Sequence, residues 1–247
     1  MRDQKPRVLE KHPIGEKTTF RGRRRGRKLR PQLDKLFKES LHTFLVEEAT
    51  ESEKIDFKTF FLVKPEEVWL EIGFGGGEHL AWQAKVHPRI GLLGFEPYIN
   101  GVASLVRHLV SENISNVRIF PEDIRPFLNK LPNGCISKIF ILFPDPWPKS
   151  KHAKRRIIQY ETLSEFHRIL KPRGKLRIAT DHVNYLTWIL IHFKNFNGFQ
   201  WLAKSPKDWR CRVSNWPQTR YEQKAIRQGR EPTFLEYRRC DTPTPIL

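Results

Sequence analysis

Between residues 68 and 180, five short apolar runs alternate with stretches of helical periodicity. The runs are VWLEIGF (68–74), GLLGFEP (91–97), NVRIF (116–120), KIFILF (138–143) and KLRIAT (175–180). Between them lie EHLAWQAKVH, NGVASLVRHLVSEN, IRPFLNKL and a longer amphipathic segment through IIQYETLSEFHRIL. Parallel strands cannot be joined by a tight turn and need a crossover, usually a helix. The β-α-β-α rhythm therefore predicts an α/β fold, a mostly parallel sheet with helices on both faces. FQWLAKS (199–205) and TFLEYRR (233–239) add two strands, making seven. Ahead of them, LDKLFKESLHTFLVEE spaces Leu33, Leu36, Phe37, Leu41, Phe44 and Leu45 as one helical face.

The folded domain is expected over 33–247, and 1–32 read as a flexible basic arm. Residues 17–30, KTTFRGRRRGRKLR, hold eight basic residues, no acidic one and too few apolar groups for a core. The whole chain carries 45 Lys and Arg against 27 Asp and Glu, a net charge of +18. Such an excess points to a polyanionic partner rather than an uncharged metabolite. Three cysteines without CxxC spacing indicate neither a disulfide framework nor a zinc knuckle, and fit a reducing cytoplasm. Nine scattered histidines without HExxH give no reason to expect a metal. No apolar stretch approaches a membrane span.

EIGFGGGEH follows the first strand and opens the first helix. Glycines there let backbone approach a ligand closely. The spacing GxGxxG, begun at Gly73, fails at Glu78; what fits is an acid followed by alternate glycines, Glu71, Gly73, Gly75 and Gly77. This pattern resembles the first motif of S-adenosylmethionine-dependent methyltransferases. A carboxylate suits the cationic end of that cofactor and would repel a pyrophosphate. Glu96 and Asp123 stand at the ends of the next two strands, placed to accept from ribose hydroxyls and an adenine amine.

The fourth strand runs into FPDPWPKSKHAKRR (143–156). Pro144 and Pro146 bracket Asp145, and Pro148 follows Trp147, so the loop is pre-set. Lys149, Lys151, Lys154, Arg155 and Arg156 are expected to begin a helix beside it. Cations there oppose the helix dipole, a cost explained if they clamp a phosphate backbone.

EIGFGGGEH, GFEP, FPDPWPKSKHAKRR, LKPRGKLRIATDHVNY and TRYEQKAIRQGR together resemble the bacterial tRNA (guanine-N7)-methyltransferases, over roughly residues 60–240. The resemblance implies a Rossmann-like class I methyltransferase fold, a cytoplasmic enzyme, S-adenosylmethionine as cofactor and tRNA as partner, and it requires no protein partner. Glu71, Glu96, Asp123 and Asp145 match the family's cofactor residues, with Asp145 also its catalytic aspartate. Lys149, Asp181 and Thr219, Arg220, Tyr221 and Glu222 match its substrate contacts. The implied reaction is methylation of guanine N7, at guanine 46 of the variable loop. Three other readings remain at this point. DPWP is similar to the loop of amino-methyltransferases acting on adenine. A 5-methylcytosine enzyme would need a nucleophilic cysteine, and Cys135 lies in the turn-like LPNGCIS. A non-enzymatic RNA-binding module would explain the charge but not the strand-end acids.

Overall fold

The computed structural model describes residues 22–46, 60–213 and 216–241. Its centre is a seven-stranded sheet in the order β3-β2-β1-β4-β5-β7-β6. The strands are β1 (Glu67–Ile72), β2 (Ile90–Phe95), β3 (Val117–Phe120), β4 (Ile136–Leu142), β5 (Leu170–Thr180), β6 (Phe199–Trp201) and β7 (Thr233–Arg239). β1 to β5 pair in parallel, and β7 runs antiparallel to both its neighbours, β5 and β6. The expected fold class, a mostly parallel sheet with helices on both faces, is the one observed.

Alternation along the strands divides the core. Val68, Leu70, Ile139, Ile141, Leu176 and Ile178 face one side, where α4 (Tyr160–Ile169) and α5 (Val183–Asn195) supply Leu163, Phe166, Tyr185 and Ile189. On the opposite face, α1 (Pro31–Phe44), α2 (Glu78–Val86) and α3 (Ile99–Ser111) bury Phe37, Leu41, Leu80, Leu105 and Leu109 against Val117 and Ile119. Farther along that sheet, Trp69, Phe140, Leu142 and Ala179 pack with Trp216 and Phe234.

Two expected elements come out differently. The strand expected over 199–205 ends at Trp201, because the Asp208 carboxylate accepts the Lys204 and Ser205 N–H groups and turns the chain into the four-residue helix α6 (Lys207–Arg210). Nor does the basic run open an α-helix. Ser150–Arg155 form a separate 3-10 turn, and α4 begins only at Tyr160, where Gln159 and Thr162 make a reciprocal cap. The dipole of an α-helix therefore does not act on those cations, and the cost reasoned from sequence does not arise.

The chain runs from β1 outward to β3, then crosses back to β4. This reversal leaves a crevice beyond the carboxyl ends of β1 and β4, the usual ligand position in an open α/β sheet.

Candidate active site

A cleft of about 430 Å³ occupies that crevice. Its wall on the first turn is Gly73 and Gly75, both with positive φ (72° and 55°), a conformation that glycine adopts without strain. Crowding makes Gly75 still more demanding, since a Cβ there would lie 2.6 Å from the Tyr221 ring. Gly77, the third glycine of the motif, caps α2 outside the cleft. A fourth position, Gly101 in α3, had no signal in the motif. A Cβ there would lie 2.2 Å from the Gly75 carbonyl oxygen, so the turn can sit on α3 only if residue 101 is glycine.

Glu96 follows β2 and is buried, with its Oε2 accepting from Gly75 N–H (2.8 Å) and its Oε1 from Tyr98 N–H (2.9 Å). Each oxygen accepts one bond there and retains capacity for another, and the residue lines the cleft. Burial raises this carboxyl to about 7 despite those two donors, and the nearby Asp145 and Glu71 push it the same way. Asp123, after β3, lines the same cleft and is held by a bidentate ion pair with Arg125.

Asp145 stands across the cleft, open to solvent at its mouth. The surrounding protein still withdraws enough water to raise its carboxyl above the ordinary aspartate value. Phe143 and Trp147, on either side of the Pro144-Asp145-Pro146 segment, adopt positive φ (52° and 42°). Bulky residues reach that region only where their surroundings hold them there. Here Phe143 N–H donates to Ala179 (2.8 Å), and the buried Arg156 donates to the Pro146 and Trp147 carbonyls (2.9 and 3.2 Å). The Arg156 guanidinium also lies over the Tyr185 and Trp188 rings, and Arg155 covers Trp147.

The structure thus gathers Gly73, Gly75, Glu96, Asp123, Asp145, Tyr221 and Arg155 around one cleft. Lys149, at the start of the 3-10 turn, and Lys151 and Lys154 within it are exposed beside the cleft. Arg156, read from sequence as part of the same basic face, instead points inward and braces the loop. Glu71 also departs from expectation. It does not line the cleft but is buried beneath the turn, bonded to His79 Nδ1 (2.7 Å), whose Nε2 meets Gln83 (3.0 Å). Asp181 pairs with Arg230 (2.9 Å) outside the cleft lining. Within the TRYE stretch, Thr219 caps α7 (Arg220–Arg227), Glu222 is buried against Arg212, and Arg220 pairs with Glu78. Tyr221 alone of the four reaches the cleft.

Part of the basic arm lies here too. Arg24 pairs with Glu122 (3.1 Å) and its carbonyl accepts Ile99 N–H, while Gly26 and Arg27 exchange hydrogen bonds with the Asn100 side chain. Gly22 and Arg23 complete one wall of the cleft. Among the described residues, no group of three acidic, histidine or cysteine side chains is placed to hold a metal, and no helix is long and apolar enough to cross a membrane.

A family model described as "Putative methyltransferase" matches residues 65–235. The tRNA (guanine-N(7)-)-methyltransferase of Rhodospirillum rubrum is 43% identical over 226 residues, 91% of this chain and 89% of that protein. Its namesake from Ruegeria sp. is 41% identical over 242 residues, covering 96% and 94% of the two chains. That from Bartonella henselae is 42% identical over 230 residues, covering 92% and 97%. The methyl donor is S-adenosylmethionine, and the cleft fits it: a close-approach glycine turn, a buried carboxylate with free lone pairs and a second strand-end acid line one cavity. The chain belongs to the tRNA (guanine-N7)-methyltransferase family.

Proposed function

We propose that this protein transfers a methyl group from S-adenosylmethionine to N7 of a guanine in tRNA, guanine 46 of the variable loop, in the cytoplasm. The observation that carries the reading is the placement of Asp145. A buttressed acidic loop faces the cofactor-type cleft on one side and an exposed lysine-rich turn on the other. Relatives named for this activity, similar over nearly their whole length, support it.

When bound, S-adenosylmethionine supplies an electrophilic methyl group, whose transfer to N7 moves positive charge from sulfur to the guanine ring and moves no proton. Guanine N7 is a free acceptor on the base edge, so the chain needs no general base. Its task is to hold the ring in line and to place negative charge beside it as it becomes cationic. Asp145 does both: its carboxylate accepts from the base N–H groups, which become more acidic as N7 is alkylated. That contact is therefore stronger in the transition state than before it. Glu96 accepts from the ribose hydroxyls, Asp123 from the adenine amine, and Gly73 and Gly75 admit the cofactor to the backbone. Glu71 contributes its field from beneath the turn. Lys149, Lys151, Lys154 and Arg155 contact tRNA phosphates beside the loop. Asp181, Arg220, Thr219 and Glu222 shape the substrate side through the ion pairs and cap described above, and Tyr221 faces the base.

Tritium transfer from labelled S-adenosylmethionine to bulk tRNA, followed by nucleoside analysis, tests the reading. 7-Methylguanosine is expected, with borohydride–aniline cleavage at one variable-loop guanine; N6-methyladenosine or 5-methylcytosine would overturn it. Asp145→Asn keeps an acceptor and removes the charge, so its single-turnover rate should fall while tRNA binding holds. A wild-type rate would remove the charge from the mechanism.

A further inference from the structure

We infer that the groove between α7 and the start of α3 carries the sugar-phosphate backbone of the nucleotides flanking the target guanosine, with Lys224 and Arg227 as its phosphate-binding side chains. This rests on the RNA-methylating reading above and extends it to residues outside the cofactor cleft. The groove measures about 650 Å³; Arg220, Lys224, Arg227, Asn100, Gln223 and Gln228 line it, and no carboxylate does. α7 sets the three cations at i, i+4 and i+7, on one helix face, while Glu222 and Ala225 on the other are buried. Arg220 is already paired with Glu78 (2.8 Å). Lys224 and Arg227 have no ion pair among the described residues.

The lining leaves the positive charge of Lys224 and Arg227 unmatched, which suits phosphates. A lone inorganic anion would use little of this volume, whereas a stretch of polynucleotide uses the two cations and the length of the groove together. Position supports the same ligand. Gly75, Tyr98 and Tyr221 line both this groove and the cofactor cleft, so a nucleotide in the cleft has its chain neighbours at the groove mouth. The half-exposed Tyr221 ring, lying over Gly75, offers a stacking face at the junction.

The test is binding of bulk tRNA and of a single-stranded RNA oligonucleotide to the full chain across about 50–200 mM salt. Lys224→Gln/Arg227→Gln should weaken both several-fold and flatten the log–log salt slope by roughly 1.5, the loss of two phosphate contacts. Affinity for S-adenosylmethionine should hold, as should the native circular dichroism spectrum. Lys224→Arg/Arg227→Lys, which keeps the charges, should retain the wild-type slope. An unchanged slope in the glutamine variant overturns the groove assignment, even if the wild type makes 7-methylguanosine. A flattened slope in a protein that methylates some other base leaves the groove standing and removes the guanine reading instead.

Discussion

Glu96 shows how one side chain ties cofactor binding to protons. Its carboxyl titrates near 7 in the folded protein, against 4.5 as the ordinary value, chiefly because it is buried. The folded state thus holds a proton that the unfolded chain has given up between those two pH values. Glu96 contributes most to stability below about pH 4.5, and that contribution is lost as pH rises through 7, on the order of 3 kcal/mol in all. Glu96→Gln should flatten this part of the stability–pH curve, measured by denaturant unfolding. Accepting from two ribose hydroxyls favours the ionised form, so binding S-adenosylmethionine at pH 6 should expel a proton. Calorimetry in buffers of different ionisation enthalpy would reveal it, and identical heats in all buffers would contradict the role. Glu96→Ala should cost about 1.5–3 kcal/mol of cofactor affinity.

At the scale of elements, the decisive one is the loop leaving β4. Its prolines restrict the backbone, but they do not by themselves put Phe143 and Trp147 at positive φ. Arg156 helps to hold that geometry through two carbonyls and two aromatic rings. Arg156→Ala should lower stability by about 2–3 kcal/mol, since it removes a charged donor and leaves carbonyls unpaired. Methyl transfer at saturating cofactor should fall further than that destabilisation explains, because Asp145 loses its placement. Thermal denaturation beside single-turnover kinetics separates the two. A variant that is less stable but turns over at the wild-type rate would show that the prolines alone set the loop. This brace was hidden in the sequence, where Arg156 is simply the last of a run of cations.

For the molecule as a whole, positive charge borders the cleft on several sides. The lysines of the 3-10 turn flank Asp145, α7 flanks Tyr221, and residues 22–27 of the arm cross the β2–α3 connection at the cofactor wall. The earlier part of the arm, residues 1–21, lies outside the described residues. A polyanion reaching Asp145 therefore meets cations from separate parts of the chain, and its affinity should fall steeply with salt. Neutralising Lys149, Lys151 and Lys154 together should flatten the log–log slope by about two to three units and leave cofactor affinity unchanged. Filter binding of tRNA over a salt series reads this directly, and an unaltered slope would reduce the turn to a solvated face.

Local periodicity was enough to read the sheet, because each strand writes its two-residue alternation or apolar run into consecutive positions. The same holds for Glu96, Asp123 and Asp145: each stands at the carboxyl end of a strand, and a parallel sheet brings those ends to one edge whatever the details of packing. Partners distant in sequence were not legible. Glu71 looked like another cleft acid until His79, eight residues on, was seen to engage it from α2. The need for glycine at position 101 follows from how α3 seats against the first turn. The basic stripe of α7 becomes one wall of a groove only because the chain brings it back across more than a hundred residues to α3. Motif and period are properties of neighbouring residues and survive in the sequence; the direction a carboxylate or guanidinium takes is set by whichever buried donors and acceptors it satisfies, and packing alone decides that.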